Sequence, residues 1–192
     1  MCNIKDYILH KKGVLSEQEC NNIITFFETH PELHYEGTIG GNSTAEYEEK
    51  KDTEIKCWSS DGYPYIFNHL GDCVSEYVKE YPHLNTVVLR WGMECIWKLQ
   101  RYLPGEGYFK EHCENGGPDL TGEGMDRRIL AWMIYFNDVT DGGYTSFPSQ
   151  NKKFQPRRGD VLIWPAYFTH PHYGIVSKTQ TKYIATGWYS FT

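Results

Sequence analysis

Hydrophobic positions in the first part of the chain recur at the spacing of an amphipathic helix. A capping box, Ser16-Glu17-Gln18-Glu19, precedes a run containing Ile23, Ile24, Phe26 and Phe27, so a helix is predicted to begin there. A second helix is predicted within residues 61–81, because apolar side chains again return every three or four positions. The residues that carry this second pattern are Ile66, Leu70, Cys73, Val74, Tyr77 and Val78.

After Pro82 the pattern changes to short strands separated by turns. Apolar and aromatic runs alternate with clusters rich in Gly, Asp, Asn and Pro, which predicts an all-β sandwich or barrel core. The predicted strands are 86–91, 95–102, 108–113, 129–137, 160–165 and 182–191. We therefore expect one domain over residues 1–192, mainly β with flanking helices, in which a helical buttress over about 1–85 supports a β core over about 86–192.

Two segments of the amino-terminal part do not follow the helical pattern. Residues 7–15 contain a short strand-like stretch. Residues 36–56 carry glycines, Asn, Ser, Thr and many charges with little apolar periodicity, which predicts a mobile loop or a ragged hairpin. For this second segment, a solvated connection and a lid over a substrate both stay open.

Composition and charge narrow the class of partner. The 192 residues are 40% hydrophobic and 16% aromatic, which is typical of a globular protein, and the net charge of −6 with scattered Lys and Arg disfavours nucleic acid. No run approaches the roughly 18 apolar residues of a membrane span, and Met1-Cys2-Asn3-Ile4-Lys5-Asp6 lacks the apolar core of a signal peptide. Six cysteines without a Cys-x-x-Cys pair indicate free thiols, so we expect a cytoplasmic protein of undetermined oligomeric state.

The candidate chemistry lies in the β half. His112-Cys113-Glu114 would put an imidazole and a carboxylate on one face of a strand, because alternate residues share a face. A second histidine, His170 or His172, would complete a set of two histidines and one carboxylate, which leaves positions open on a non-haem Fe(II). Lys182 follows in an otherwise apolar run, where a charge is costly unless it meets an anion. A carboxylate of 2-oxoglutarate would be such an anion.

An ordered series of motifs extends this pattern across the β half. In chain order, the motifs are Tyr102-Leu103-Pro104-Gly105, Tyr135-Phe136-Asn137, Gly142-Gly143-Tyr144-Thr145-Ser146-Phe147-Pro148, Pro156-Arg157-Arg158-Gly159-Asp160, Val161-Leu162-Ile163-Trp164-Pro165 and the segment from Lys182 to Trp188. In content and order, over about residues 99–191, they resemble the prolyl 4-hydroxylase-like branch of the Fe(II)/2-oxoglutarate-dependent dioxygenases. The resemblance implies a double-stranded β-helix core of the jelly-roll or cupin-like type, buttressed by the amino-terminal helices.

The resemblance also implies which residues bind the metal. His112, Glu114 and His172 would be the ligands of Fe(II). His172 is preferred to His170 because His-x-Gly, here 172–174, and its spacing to Lys182 match the family pattern. Glu114 is a departure, since the family usually has Asp at this position, and the longer side chain leaves the coordination geometry open.

Further residues would bind the co-substrate. The resemblance implies that Lys182 and the hydroxyl of Tyr135 bind the far carboxylate of 2-oxoglutarate, with Tyr102 lining the same pocket. Dioxygen would be the second co-substrate, and ascorbate is a candidate reductant.

The predicted activity is hydroxylation of prolyl residues in a peptide or protein substrate, with conversion of 2-oxoglutarate to succinate and CO2. Hydroxylation of a free amino acid or another small molecule is the alternative within the same family. A catalytically inactive β-barrel binding module, which Glu114 would support, and a structural zinc site on the same three residues are the alternatives outside it. Lys182 favours an anionic co-substrate over both of these.

Overall fold

The computed structural model describes residues 6–39, 48–87, 89–115 and 125–192. Two helices, α1 (Glu17–Thr29) and α2 (Pro64–Glu80), lie where the helical spacing predicts them. The strands within these residues are β1 (Leu9–Lys11), β2 (Tyr35–Glu36), β3 (Lys50–Lys51), β4 (Thr53–Trp58), β5 (Trp91–Met93), β6 (Ile96–Tyr102), β7 (Gly107–Tyr108), β8 (Arg128–Tyr135), β9 (Thr145–Phe147), β10 (Lys152–Phe154), β11 (Val161–Pro165), β12 (Tyr173–Gly174) and β13 (Lys182–Phe191). In this part of the chain, no helix has the length and apolar character needed to cross a bilayer.

Both helices bury one apolar face. At the start of α1, the Ser16 hydroxyl accepts a hydrogen bond from the backbone N–H of Glu19, and the Glu19 carboxylate accepts one from the backbone N–H of Ser16, as the capping box predicts. Buried residues on α1 are Cys20, Ile23 and Phe27, and those on α2 are Ile66, Leu70, Cys73 and Tyr77. Both sets belong to one core with the larger sheet, which fixes the helices on one of its faces.

Eight strands form the larger sheet of the described residues. Their order is β1-β11-β8-β13-β6-β4-β2, with β5 also paired to β13, and the pairs are antiparallel. Strand β13 is central, because it pairs with β6 on one side and with β8 on the other. A three-stranded sheet, β10-β9-β12, and a two-stranded sheet, β3-β7, complete the strand pairing of these residues.

The larger sheet separates two cores, as β8 illustrates. All of its side chains are buried, and alternate residues belong to opposite faces. On the helical side the core contains Leu130, Trp132 and Ile134. On the other side it contains Ala131, Met133 and Tyr135, together with Phe147 of β9 and Phe154 of β10. The candidate site residues therefore lie on the face of the sheet opposite the helices.

The structure corrects the extent of two predicted strands. In place of the strand 86–91, a 3₁₀ helix spans Pro82–Thr86 and β5 begins only at Trp91. Pro82 occupies the first turn of that helix, where its fixed φ is already helical. In place of the strand 108–113, β7 ends at Tyr108, and His112 then pairs through an isolated bridge with His172. An irregular segment with a bend at Lys110 thus precedes the ligand residues.

The amino-terminal part contributes strands as well as helices. The strand-like stretch in 7–15 is confirmed as β1, and β2, β3 and β4 also come from the region predicted as a helical buttress. Residues 36–56 form part of a hairpin, since β2 pairs antiparallel with β4. The centre of the predicted lid, residues 40–47, and most of the predicted glycine-rich loop, residues 116–124, lie outside the described residues.

Candidate active site

Three candidate ligands meet at the bridge between two distant segments. The backbone N–H of His112 donates to the His172 carbonyl at 3.0 Å, and the N–H of His172 donates to the His112 carbonyl at 2.9 Å. This pairing sets the two rings side by side, with centroids 4.4 Å apart. One ligand atom from each of His112, Glu114 and His172 lies within 4.8 Å of the other two.

The imidazole tautomers leave two lone pairs directed at the carboxylate. His112 Nδ1 lies 2.9 Å from the Lys110 carbonyl, and His172 Nδ1 lies 3.0 Å from the His170 carbonyl. A carbonyl only accepts hydrogen bonds, so both Nδ1 atoms carry a proton, and in the neutral ring each Nε2 atom carries a lone pair. These Nε2 atoms lie 3.6 Å and 3.2 Å from Glu114 Oε1, respectively. With both rings neutral, three electron-rich atoms face one another, an arrangement that a metal cation bound between them would stabilise.

The charges of the three groups also suit a divalent metal. Burial alone would raise the pKa of Glu114, but the Nε2–H donors and positive charge that protonation gives His112 and His172 hold it well below its usual range. Burial, and then the neighbouring His172, lower the pKa of His112. A deprotonated carboxylate and neutral imidazoles are the forms that bind metal, and this donor set fits Fe(II).

Aromatic rings hold both histidines in place. Tyr108, the last residue of β7, stacks on His112 with centroids 3.7 Å apart. On the other side, Phe147 stacks on His172 at 5.2 Å and Trp164 meets the same ring edge-on at 5.1 Å. These contacts restrict the rotation of both imidazoles and exclude water from their apolar faces.

Glu114 is anchored on the side away from the histidines. Its Oε2 accepts a hydrogen bond of 2.8 Å from the indole Nε1 of Trp188, and its backbone carbonyl accepts one of 3.2 Å from Arg128. The Arg128 guanidinium also lies over the Trp188 ring, 3.6 Å from its centroid. The two oxygens of Glu114 therefore have different surroundings, which defines how the carboxylate can face a metal.

A cavity of about 760 Å³ joins this cluster to Lys182. The Lys182 ammonium donates to the Gly143 carbonyl at 3.3 Å and lies 4.6 Å from the ring centroid of Tyr102. Burial lowers the pKa of Lys182 to about 8, and Asp52 offsets this only in part. Within the described residues no carboxylate lies within ion-pair distance of Lys182, so the cavity presents a buried cation to a ligand.

Tyr135 lies behind the cavity wall. Its hydroxyl donates to the Thr145 hydroxyl at 2.6 Å, and both side chains are buried. Thr145 lines the cavity, whereas Tyr135 is not among the described residues that do so. Of this pair, Thr145 is therefore the residue that a ligand in the cavity can reach, and its contact with Tyr135 was missed by sequence reasoning.

A buried cluster of charges lies beyond Tyr102. Lys50 contacts the carboxylates of both Asp52 and Glu54, and Gln100 donates to Asp52 at 2.8 Å and to Glu54 at 2.9 Å. Burial raises the pKa of Asp52 to about 6. Burial would also raise the pKa of Glu54, but Lys50 and Lys98 outweigh it and lower that pKa to about 2. Sequence reasoning placed Lys50, Asp52 and Glu54 in a mobile loop or ragged hairpin and missed the cluster.

The structure thus brings together five of the predicted site residues. His112, Glu114, His172, Lys182 and Tyr102 all line the same cavity. His170 does not join the three-ligand cluster. Its Nε2 instead lies 2.7 Å from the Asp6 carbonyl, and its Nδ1 lies 2.8 Å from the Thr169 hydroxyl.

Comparison with known proteins identifies the family. A family model described as the 2OG-Fe(II) oxygenase superfamily matches residues 97–190, which contain the cluster and Lys182. Residues 97–190 therefore belong to a domain of this superfamily. Membership implies Fe(II) as the metal, with 2-oxoglutarate and dioxygen as co-substrates, as the resemblance of the motifs predicts.

Relatives point to one branch of the superfamily. A protein of Acanthamoeba polyphaga mimivirus named "Putative prolyl 4-hydroxylase" is 33% identical over 105 residues, which cover 48% of this chain and 43% of that protein. A protein of Arabidopsis thaliana named "Probable prolyl 4-hydroxylase 9" is 27% identical over 47% of this chain and 38% of its own length. The chain spans about two fifths of the length of these curated relatives.

Solved structures confirm the predicted jelly-roll fold. A collagen prolyl hydroxylase of Paramecium bursaria Chlorella virus-1, in complex with 2OG, has a TM-score of 0.70 at 21% identity, and the match covers 100% of this chain and 99% of that one. A second match is a prolyl hydroxylase from Trichoplax adhaerens in complex with a peptide fragment of the hypoxia inducible factor oxygen degradation domain. Its TM-score is 0.75 at 17% identity, and the match covers 97% of this chain and 84% of that one. Because both sequence identities are low, these two matches support a shared fold only.

Proposed function

We propose that this protein is an Fe(II)- and 2-oxoglutarate-dependent oxygenase that hydroxylates prolyl residues in a peptide or protein. The observation that carries the proposal is the shared cavity, in which the cluster of His112, Glu114 and His172 and the buried cation of Lys182 face the same space. A metal site and an anion site in one cavity suit a co-substrate that chelates the metal at one end and carries a carboxylate at the other.

Each group of residues has a distinct part in the proposed reaction. His112, Glu114 and His172 would hold Fe(II), which supplies the redox chemistry that couples decarboxylation of 2-oxoglutarate to hydroxylation of the substrate. Lys182 would bind the far carboxylate as a point charge, above the ring of Tyr102. Tyr135 would act on this subsite through the hydroxyl of Thr145 rather than by direct contact.

A peptide or protein substrate is the part of the proposal that the relatives support. The curated relatives bear the name of prolyl 4-hydroxylases, and one of the solved structures holds a peptide. The cavity of about 760 Å³ leaves room for a substrate side chain beside the co-substrate. A free amino acid or other small molecule would need the same room, so the substrate class is a question for the assay.

A reducing setting is a further part of the proposal. Cys20, Cys57, Cys73, Cys95 and Cys113 are free thiols in the described residues, which suits the cytoplasm. A reductant such as ascorbate would keep the iron in its ferrous state between turnovers.

The proposal is tested by measuring succinate from 2-oxoglutarate with Fe(II)-loaded protein in air, with and without a library of proline-containing peptides. We expect succinate to rise with peptide, and mass spectrometry to find one added oxygen on a proline. Succinate that no peptide raises would keep the oxygenase and redirect the search to small molecules. No succinate at all, from protein shown to bind Fe(II), would refute the proposed enzyme.

A matched variant tests the assignment of the anion site. We expect Lys182→Ala to weaken 2-oxoglutarate binding strongly while metal binding is kept, because Lys182 is separate from the ligand cluster. A Lys182→Ala protein that binds 2-oxoglutarate as tightly as wild type would refute the assignment.

A further inference from the structure

Glu114 poses a problem that an aspartate ligand would not. Glutamate has one more rotatable bond than aspartate, so its carboxylate can reach more positions around a metal unless something fixes it. Both of its oxygens could also turn towards the same ion. A site built on glutamate therefore needs a second contact that selects one orientation.

Trp188 supplies such a contact. Its indole Nε1 donates to Glu114 Oε2 at 2.8 Å, while Oε1 lies 3.2 Å from His172 Nε2. An indole N–H only donates hydrogen bonds, so it holds a carboxylate oxygen without competing for the metal. One oxygen of the carboxylate is thereby held back, and the other faces the histidines.

Trp188 is itself held firmly. It lies on β13 opposite Ala131 of β8, is 7% exposed, and its backbone carbonyl accepts a hydrogen bond of 2.9 Å from the N–H of Glu94. Arg128 lies over the indole, with its guanidinium carbon 3.6 Å from the ring centroid, and also donates to the backbone carbonyl of Glu114 at 3.2 Å. The donor and the backbone of its acceptor are therefore fixed by the same arginine.

We propose that Trp188 is a positioning residue, which fixes the Glu114 carboxylate through the indole N–H so that only Oε1 binds the metal. The inference rests on the proposed metal site and concerns how that site tolerates glutamate. Partners that orient a metal ligand typically change metal affinity by about ten- to a hundredfold when they are removed.

The test measures binding of Mn(II), a redox-stable stand-in for Fe(II), by calorimetry in the absence of 2-oxoglutarate. We expect Trp188→Phe to weaken binding by roughly ten- to a hundredfold. The matched control is Trp132→Phe. Trp132 is also a buried tryptophan of the larger sheet, but it belongs to the helical core, and its Nε1 has no hydrogen-bond partner among the described residues. We expect the control to bind Mn(II) as wild type does.

A double-mutant cycle separates anchoring from mere packing. In Glu114→Asp the carboxylate retracts by about 1.5 Å, one carbon–carbon bond, and no longer reaches the indole. Trp188→Phe should therefore weaken Mn(II) binding much less in the Glu114→Asp protein than in the wild type. An equal loss in both backgrounds would mean that Trp188 acts through packing, which would overturn the proposal.

Two further measurements keep the test decisive. If Trp188→Phe does not fold, as judged by circular dichroism, the residue is replaced by β-(3-benzothienyl)alanine, which keeps the ring shape and removes only the N–H. The visible spectrum of the Co(II)-loaded protein should also change in this variant, because a freed carboxylate can bind through both oxygens. If the wild type binds metal and the Trp188 variant shows the same affinity and spectrum, the proposed role of Trp188 is refuted and the proposed function is kept. No metal binding by the wild type would overturn the proposed function and this role together.

Discussion

Replacing Lys182 with methionine should stabilise the protein without co-substrate while it abolishes the proposed anion site. Lys182 is 6% exposed, and its ammonium lies 3.3 Å from the Gly143 carbonyl and 4.6 Å from the centroid of the Tyr102 ring, which are the distances of weak interactions. No carboxylate in the described residues forms an ion pair with it. Methionine has similar length and no charge, so it removes the buried charge without leaving a large cavity.

The size of the effect follows from the pKa of Lys182. Burial lowers this pKa from 10.5 to about 8. At about 1.4 kcal/mol for each pH unit, the fall corresponds to about 3 kcal/mol of destabilisation by the charged form. Between about pH 8 and 10.5 the unfolded chain holds this proton and the folded protein does not, so the free energy of unfolding rises with pH in that window. Below about pH 8 the full penalty applies, and the advantage of Lys182→Met should be greatest there.

Urea unfolding of wild type and Lys182→Met at pH 7 and pH 10, without 2-oxoglutarate, measures this difference. We expect the variant to be more stable by up to about 3 kcal/mol at pH 7, and the gap to narrow at pH 10. Lys50→Met is the contrast, because Lys50 is equally buried but contacts Asp52 and Glu54. Its loss leaves two buried carboxylates and should cost about 3–5 kcal/mol. A Lys182→Met protein less stable than wild type at pH 7 would refute the reasoning.

Three further predictions follow from local contacts. His170→Asn should leave Mn(II) affinity nearly unchanged, whereas His172→Asn should lower it strongly, because of these two residues only His172 belongs to the ligand cluster. Calorimetry on the two variants shows which histidine binds the metal. Ser16→Ala should cost about 1 kcal/mol in urea unfolding, since it removes half of the capping box of α1, and an unchanged midpoint would contradict this. Gly159→Ala should lower the melting temperature markedly, because Gly159 has φ +78° and an added Cβ would lie 2.2 Å from the Leu15 carbonyl oxygen. Gly13→Ala is the control, since Gly13 has φ +58° but open space around it, and it should show only the smaller cost of the backbone conformation.

The sequence predicted most accurately the strands whose apolar runs are bounded by turn residues. Lys182 and Trp188 were predicted to lie on one strand, and because alternate residues of a strand share a face, their side chains lie on the same side of β13. Strands β6, β8, β11 and β13 were predicted nearly to their bounds, because their apolar runs end at turn residues. These elements include three of the predicted site residues, Tyr102, Tyr135 and Lys182.

Interactions between distant segments were the part that the sequence did not supply. Lys50 lies in a polar stretch that is typical of a solvated loop, and its burial depends on Gln100 and Lys98 of β6, which satisfy the carboxylates beside it. His170 and His172 share one face of an extended segment, so strand periodicity does not separate them. The family pattern favours His172, and the bridge from His172 to His112 is the contact that brings it to the other ligands. Likewise, the hydroxyl of Tyr135 could not be assigned without the position of Thr145 on β9.

Strand β13 explains why the proposed metal site and anion site can have a fixed separation. Lys182 and Trp188 are the ends of its inner-facing row, about 20 Å apart at roughly 3.3 Å for each residue, and both long side chains reach towards the cavity between them. Because β13 is hydrogen-bonded to β6 on one side and to β8 on the other, neither end can shift without breaking a ladder. In the proposed site Lys182 would bind the co-substrate, and Trp188 donates to Glu114, so one strand would set the position of the anion site relative to that of the metal-binding carboxylate. The separation is therefore built before any ligand arrives, which is the condition for a chelating co-substrate to bind in a single orientation.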